Sequence, residues 1–303
     1  MTTVKAQFPD EQAQDGTFVR QDDAFRKWIT ADGRSGFPAV PNRYRLYVSY
    51  ACPWAHRTLI VRALKQLENV IDVVVVDPIR DDRGWHLGDW FLSELYFATD
   101  PQYRGRVTVP VLWDTETKEI VSNSDDDIMR MFETEFNAFG KGDLDLYPPE
   151  HREAIDALND MIYDTVNNGV YKAGFATSQA SYEAAAYALF ASLDELDKRL
   201  STRRFLFGPR PLESDWRLFV TLVRFDPVYV GHFKCNLRRI ADYPNLSGYL
   251  RDLYQIPGIA PTVNFDHIKR HYYYTHDDIN PTRIVPIGPL LDLTSPPGRE
   301  HLS

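Results

Sequence analysis

The feature that most constrains this chain is a strand–helix–strand pattern over residues 44–76, with a cysteine where the first strand gives way to the helix. Tyr44-Arg45-Leu46-Tyr47-Val48-Ser49-Tyr50 alternates apolar and polar side chains, as a half-buried strand does. Leu59, Ile60, Ala63, Leu64 and Leu67 follow at helical spacing over 54–67. Ile71-Asp72-Val73-Val74-Val75-Val76 is a β-branched run of the kind buried on both faces. Strand, helix and strand in about thirty residues make a βαβ unit. Cys52 falls at the first junction, and Pro53 suits a first helical turn, where no backbone donor is needed. A thiol there meets unpaired N–H groups and the positive end of the helix dipole, both of which favour thiolate. His56 and Arg57, one turn on, would add positive potential. A lone cysteine is more often a small buried hydrophobe than a nucleophile. Its place at a helix start is what points to reactivity. Ala55 occupies the position of the second sulfur of a Cys-x-x-Cys pair, so a mixed disulfide on Cys52 needs an external thiol to resolve it.

The rest of the chain divides around this unit. Residues 1–42 are polar and turn-rich and read as an extension, with Phe18, Phe25, Trp28 and Phe37 as anchors. Residues 77–105 form an irregular insert holding Trp85, His86 and Trp90, with a helix over 91–98. Residues 106–113 read as a strand interrupted by Pro110, which confines that proline to an edge, a strand start or a special turn. Ile120-Val121 is the returning strand, and Ser122-Asn123-Ser124-Asp125 opens a helix. Tyr147-Pro148-Pro149 marks a linker, giving domains at 43–146 and 147–303. Beyond it the pattern is helical, with helices expected at 151–168, 215–225, 233–241 and 246–254 and coil from 281 to the end. Tyr182, Ala185, Leu189, Leu193, Leu196 and Leu200 form one apolar stripe, which is core rather than a site.

Composition narrows the function classes. A net charge of −9 argues against a nucleic-acid surface and a polybasic membrane patch. No apolar run reaches the roughly 18 residues of a transmembrane helix. The start Met1–Phe8 has no signal-peptide core, and two cysteines, Cys52 and Cys235, make no disulfide framework, so a reducing cytoplasm is expected. His267 and His271 lie four apart, with His276 beyond, but no glutamate follows His267 as in a zinc-protease helix, so structural histidines are expected and no metal. His232 and Cys235 have no second pair to complete a site. Asp125-Asp126-Asp127 reads as acidic residues at a helix N-terminus rather than half a cation loop.

A sheet-bearing half followed by a helical half, with Cys52-Pro53-Trp54-Ala55-His56-Arg57 at the junction, resembles the glutathione transferase superfamily on its cysteine-using, omega-like side. Three further blocks, residues 164–175, 225–236 and 264–273, resemble the Xi class, the glutathionyl-hydroquinone reductases. The resemblance runs from about residue 43 to about 289. It implies a thioredoxin-like α/β N-terminal domain, an all-α C-terminal domain and a homodimer. The implied reaction is thiol-dependent removal of glutathione from a conjugated hydroquinone through a Cys52 mixed disulfide, with a small thiol as co-substrate and no tightly bound cofactor. Trp85, Arg106, Val109, Pro110, Ser124 and Asp125 are the implied thiol-binding positions, Pro110 being the cis-proline of such domains and Val109 the backbone that pairs the thiol. Tyr171 and Tyr272 are the implied substrate-binding positions. Without the resemblance, two tyrosines among seventeen would read as amphipathic core.

Two places depart from that pattern. The family has Glu-Ser at the helix entry where this chain has Ser124-Asp125. An aspartate repels the γ-glutamyl carboxylate that a serine would hold, which points to a thiol lacking it, such as mycothiol. The other reading makes Ser124 the helix cap, with Asp125 turned to solvent. At Leu212-Glu213-Ser214-Asp215 the usual capping hydroxyl is missing, unless Ser214 takes over from a shifted helix start. An omega-type mixed-disulfide or dehydroascorbate reductase and a non-enzymatic thioredoxin-fold binding module are the alternative functions.

Overall fold

Strand β1 (Tyr44–Val48) is the axis of the sheet. It pairs in parallel with β2 (Asp72–Val75) and antiparallel with a strand over Val111–Asp114. The computed structural model describes residues 11–81 and 83–303. The start Met1–Phe8 and the first ten residues of the extension lie outside them. The described chain forms two compact units. A sheet unit comprises residues 21–145 and 258–271, and a helical unit comprises 11–20, 146–257 and 272–303.

In the sheet unit, helix α1 (Pro53–Leu64) follows β1. The insert holds a small hairpin of β3 (His86–Leu87) and β4 (Trp90–Phe91), then α2 (Ser93–Thr99). Next come β5 (Val111–Asp114), β6 (Glu119–Ser122) and α3 (Asp125–Thr134). The four-stranded order is β2-β1-β5-β6. This is the thioredoxin-like arrangement expected. Two burial expectations exchange places. Strand β1, central, buries four of its five residues, whereas β2 is an edge strand with no fully buried residue. A β-branched run is compatible with either site, because neighbours on both sides, not composition, decide burial. The strand expected over 106–113 begins only at Val111, after a cis Val109–Pro110 peptide. Helix α1 stops at Leu64 rather than residue 67, because Gln66 takes a left-handed φ of 56°. Residues 25–27 lie along the outer edge of β6: Lys27 N–H donates to the Val121 carbonyl and Asn123 N–H to the Phe25 carbonyl. Ile29 and Phe37 of the extension are buried, while Phe25 and Trp28 are half-buried.

In the helical unit, α4 (Arg152–Met161) runs into a π-helical segment, Ile162–Asn167, and then α5 (Gly169–Gly174). α6 (Gln179–Arg199) buries the expected stripe from Leu189 to Leu196. α7 (Glu213–Arg224) continues as a second π segment, Phe225–Tyr229, and α8 spans Leu246–Tyr254. The helix expected over 233–241 is absent. Lys234 adopts a left-handed φ of 59°, and the Asp226 carboxylate accepts from the N–H groups of Ile240 and Ala241, leaving only a short 3-10 turn at Ile240–Asp242. The terminal coil is tied down by Arg299, whose guanidinium donates to the carbonyls of Leu200 and Arg203. Among the described residues no helix is long and apolar enough to cross a membrane.

The start of α7 corrects the expectation about Ser214. The helix begins at Glu213, and Ser214 donates to Asn159 Oδ1 at 2.7 Å instead of capping. Leu212 has no acceptor to offer, so only half a capping box exists: Asp215 accepts from Leu212 N–H at 2.8 Å. Asp215 also accepts from Leu206 N–H at 2.9 Å and the Tyr249 hydroxyl at 2.7 Å. Burial nevertheless pushes its carboxyl up to about 6, winning against these donors. Two outcomes follow for denaturant unfolding. Asp215→Ala strands three buried donors and lowers stability by about 3 kcal/mol. A carboxyl whose folded pKa is raised contributes most at low pH, so its contribution declines as pH rises from about 4 to about 6. That component is absent in the variant.

Candidate active site

The sulfur site lies wholly in the sheet unit. Ser49, completely buried after β1, shapes the turn: its carbonyl accepts from Cys52 N–H at 3.1 Å and its hydroxyl from Ala51 N–H at 3.2 Å. Cys52 is the N-cap of α1, with Pro53 in the first turn as expected. Its side chain makes no cap bond; the residue is half-buried, and its Sγ lies 3.4 Å from the Val109 carbonyl oxygen beside cis Pro110. The positive end of the dipole of a twelve-residue helix therefore lies at the sulfur. Val109 and Pro110 are buried. Trp85 is buried and stacked on His271, with centroids 4.9 Å apart, and His271 Nδ1 is 2.8 Å from the Pro78 carbonyl. Arg106 is half-buried, and its carbonyl accepts from the Tyr103 hydroxyl.

The positive potential expected from His56 and Arg57 is engaged elsewhere. His56 is buried, with Nε2 2.7 Å from Thr262 Oγ1. Arg57 is buried too and donates to Asp125 Oδ2 at 2.8 Å, with Asp126 3.6 Å away. Ser124 is the cap of α3, accepting from Asp127 N–H at 3.4 Å. Asp125 does not turn to solvent, however. Its side chain is 14% exposed and belongs to the Arg57 ion pair, because a buried guanidinium needs a nearby carboxylate.

The tyrosines lie in the helical unit, where a third joins the two expected. The Tyr171 and Tyr272 hydroxyls share a short hydrogen bond. The Tyr229 hydroxyl is 3.0 Å from that of Tyr272. Tyr171 sits in α5, which follows the π-helical Ile162–Asn167, whereas Tyr229 and Tyr272 sit in π-helical segments, Phe225–Tyr229 and His271–Thr275. Such segments re-aim side chains and are frequent at functional sites. Pro227, which lacks an N–H, lies inside the second. Phe233 stacks on Tyr229 at 5.5 Å and meets Tyr171 edge-on at 5.4 Å. Gly174 admits that ring: a Cβ there would lie 2.2 Å from Phe233 Cγ. Burial raises the Tyr229 and Tyr272 phenols well above the usual tyrosine range, keeping both protonated.

Sequence reasoning missed Tyr229 and the contributions of residues 258–271 to the sheet unit. Tyr229 lies in block 225–236 and residues 264–271 in block 264–273, whose density of aromatic and histidine side chains was the available signal; residues 258–263 lie in neither. The histidines have separate surroundings. His267 meets the Tyr50 ring edge-on, His271 stacks on Trp85, and His276 lies 3.2 Å from His232. No group of three or more metal-ligating residues occurs among the described residues.

Comparison with known proteins places this geometry. The family model for the glutathione S-transferase N-terminal domain matches residues 51–135, and that for the C-terminal domain matches 179–252. A glutathionyl-hydroquinone reductase of Escherichia coli, YqjG, is 54% identical over 96% of this chain and 94% of its own length. Another, PcpF of Sphingobium chlorophenolicum, is 47% identical over 92% of each. Among solved structures, a Xi glutathione S-transferase from Phanerochaete chrysosporium superposes with a TM-score of 0.90 at 51% identity, covering 92% of this chain and 95% of that one. The glutathione-bound YqjG structure superposes with a TM-score of 0.89, covering 92% and 96%.

The two cysteines should separate cleanly under alkylation. Cys235 is fully buried, and burial pushes its thiol up, away from thiolate. Iodoacetamide on the folded protein modifies Cys52 and leaves Cys235 intact, as peptide mass mapping would read. Equal labelling of both would contradict this assignment.

Proposed function

The chain belongs to the glutathione transferases, within them to the Xi-class family of glutathionyl-hydroquinone reductases, and on that footing we propose that it removes glutathione from glutathionyl hydroquinones through a mixed disulfide on Cys52. The observation that carries this reading is Cys52 itself, a half-buried cysteine at the N-cap of α1 with its sulfur beside the Val109 carbonyl. Its thiolate attacks the glutathione sulfur. The S–S bond forms as the carbon–sulfur bond breaks. An aryl carbanion is too basic to leave, so the ring reacts as its keto tautomer, already carrying a proton on that carbon. The electron pair then passes to the ring oxygen, releasing the hydroquinone anion. The sulfurs are oxidised to a disulfide and the ring is reduced. A second glutathione thiolate attacks the mixed disulfide, giving glutathione disulfide and restoring Cys52. The external thiol is needed because Ala55 stands where a local resolving sulfur would and Cys235 is buried.

In this reading Trp85, Arg106, Val109, Pro110 and Ser124 bind the thiol, and Tyr171 and Tyr272 hydrogen-bond the hydroquinone oxygen and stabilise its developing charge. The protein acts as a cytoplasmic homodimer, which light scattering would check. Glutathione is the favoured co-substrate over a thiol without the γ-glutamyl carboxylate, because the Asp125 charge is already balanced by Arg57. Domains 43–146 and 147–303 divide the labour between thiol and aromatic substrate.

Two measurements test this. The wild type turns over a glutathionyl hydroquinone with glutathione, whereas Cys52→Ala has no activity above background. A wild type inert toward that substrate but active on dehydroascorbate would favour the omega-type alternative. By calorimetry the wild type binds glutathione, and Asp125→Ser changes that affinity by less than tenfold, about 1.4 kcal/mol. The same variant loses about 3 kcal/mol of folding stability, since Arg57 is left without its nearest carboxylate. A gain of tenfold or more would return the case to mycothiol-like thiols.

A further inference from the structure

We propose that His271 is a positioning residue for thiol binding, its imidazole stacked on Trp85 and anchored to the Pro78 carbonyl so that the indole is held ready for the glutathionyl group. The role rests on the reading of Trp85 as a thiol-binding position.

The chain around Trp85 does not by itself fix the indole. The described residues between β2 and β3 belong to no named helix or strand. Gly84, directly before Trp85, takes a left-handed φ of 101°, which a glycine adopts freely. The Trp85 carbonyl accepts from Leu92 N–H at 2.9 Å, which ties the backbone to the start of α2. A backbone tie still leaves the side chain a choice of staggered rotamers.

His271 makes the choice. Its ring lies 4.9 Å from the indole, centroid to centroid, with the planes 20° apart, a stacked pair. Its Nδ1 is 2.8 Å from the Pro78 carbonyl oxygen. A carbonyl only accepts, so Nδ1 carries the proton and donates. That bond pins the imidazole plane to the chain three residues beyond β2, and the stack passes the plane on to Trp85. Trp85 is 6% exposed and His271 8%, so water does not compete for the contact.

His271 is itself held, within the same sheet unit. It follows helix α9 (Phe265–Arg270), which is capped by Asn264: Oδ1 accepts from His267 N–H at 3.0 Å. The segment carrying α9 is fastened on both sides of the sulfur turn. Two residues before Cys52, the Tyr50 ring meets His267 edge-on at 5.7 Å. Four residues after it, His56 Nε2 lies 2.7 Å from Thr262 Oγ1. One short segment therefore braces the turn that presents the sulfur and the ring that meets the thiol. An indole free to rotate must be immobilised when the thiol binds, at the expense of affinity. With His271 in place it is immobilised when the chain folds. The gain lies in binding, not in bond breaking at the sulfur.

Calorimetry with glutathione on wild type, His271→Ala, Trp85→Ala and the double variant tests this as a cycle. With Trp85 present, His271→Ala should weaken binding about tenfold. In the Trp85→Ala background the same change should alter affinity by less than about twofold, since no indole is left to hold. His271→Phe, which can stack but cannot donate to Pro78, should fall between wild type and His271→Ala. With a glutathionyl hydroquinone, His271→Ala should raise KM about tenfold and leave kcat within about twofold. A loss of the same size in both backgrounds, an unchanged affinity in His271→Ala, or a fall in kcat at constant KM overturns the proposal. Continued protection of Cys235 from iodoacetamide reports that each variant is folded. Should His271→Ala fail to fold, His271→Phe takes its place in the cycle, with a loss of about threefold that vanishes without Trp85; a loss that persists without Trp85 overturns the role. A Trp85→Ala variant that binds glutathione as tightly as wild type overturns the thiol-binding reading, and this role with it. Coupling of the two residues in a wild type inert toward glutathionyl hydroquinones supports this role and overturns the hydroquinone-reductase reading instead.

Discussion

The register between β1 and β5 is the constraint on which the sulfur site depends. Tyr47 lies opposite Val111, and Leu46 opposite Leu112. β1 ends at Val48, and four residues later comes Cys52; β5 begins at Val111, immediately after Val109 and Pro110. One ladder thus brings two chain ends together and sets the Cys52 sulfur against the Val109 carbonyl. A slip of one residue would turn every side chain of β5 to the opposite face. The parallel partner β2 holds the other edge of β1, so the end of β1 is fixed from both sides.

What could be read from the sequence follows from which forces are local. The junction at Cys52, the cap at Ser124 and the helix over 246–254 are set by neighbours in the chain, and each is found where the pattern put it. Relations between distant residues were not legible. The β-branched run at 71–76 looked more buried than Tyr44–Val48, yet the number of strand neighbours reversed the order. Asp125 could be placed at a helix start, but not in an ion pair with Arg57, 68 positions earlier. The π-helical turns at Ile162, Phe225 and His271 are invisible to a reading that tests only helical and strand periods. Two of them carry Tyr229 and Tyr272, and Tyr229 escaped notice for that reason.

Buried polarity is handled in two ways. Charges are matched by opposite charge, as with Arg57 and Asp125 in the sheet unit or Arg217 and Glu213 in the helical unit. The phenols of the helical unit instead hydrogen-bond one another, within a shell of aromatic rings. Hydroxyl protons can reorient without moving heavy atoms. Such a cluster can therefore change its pattern of donation while its packing stays fixed.

The strip of chain along β6 has a consequence of a different kind. Residues 25–27 exchange backbone hydrogen bonds with Val121 and Asn123, so the outer edge of β6 is occupied rather than bare. An unoccupied strand edge is a template for another chain. The extension therefore acts as a self-association guard. A homologue lacking these residues would need a proline, an inward charge or a partner chain to keep that edge from recruiting its own kind.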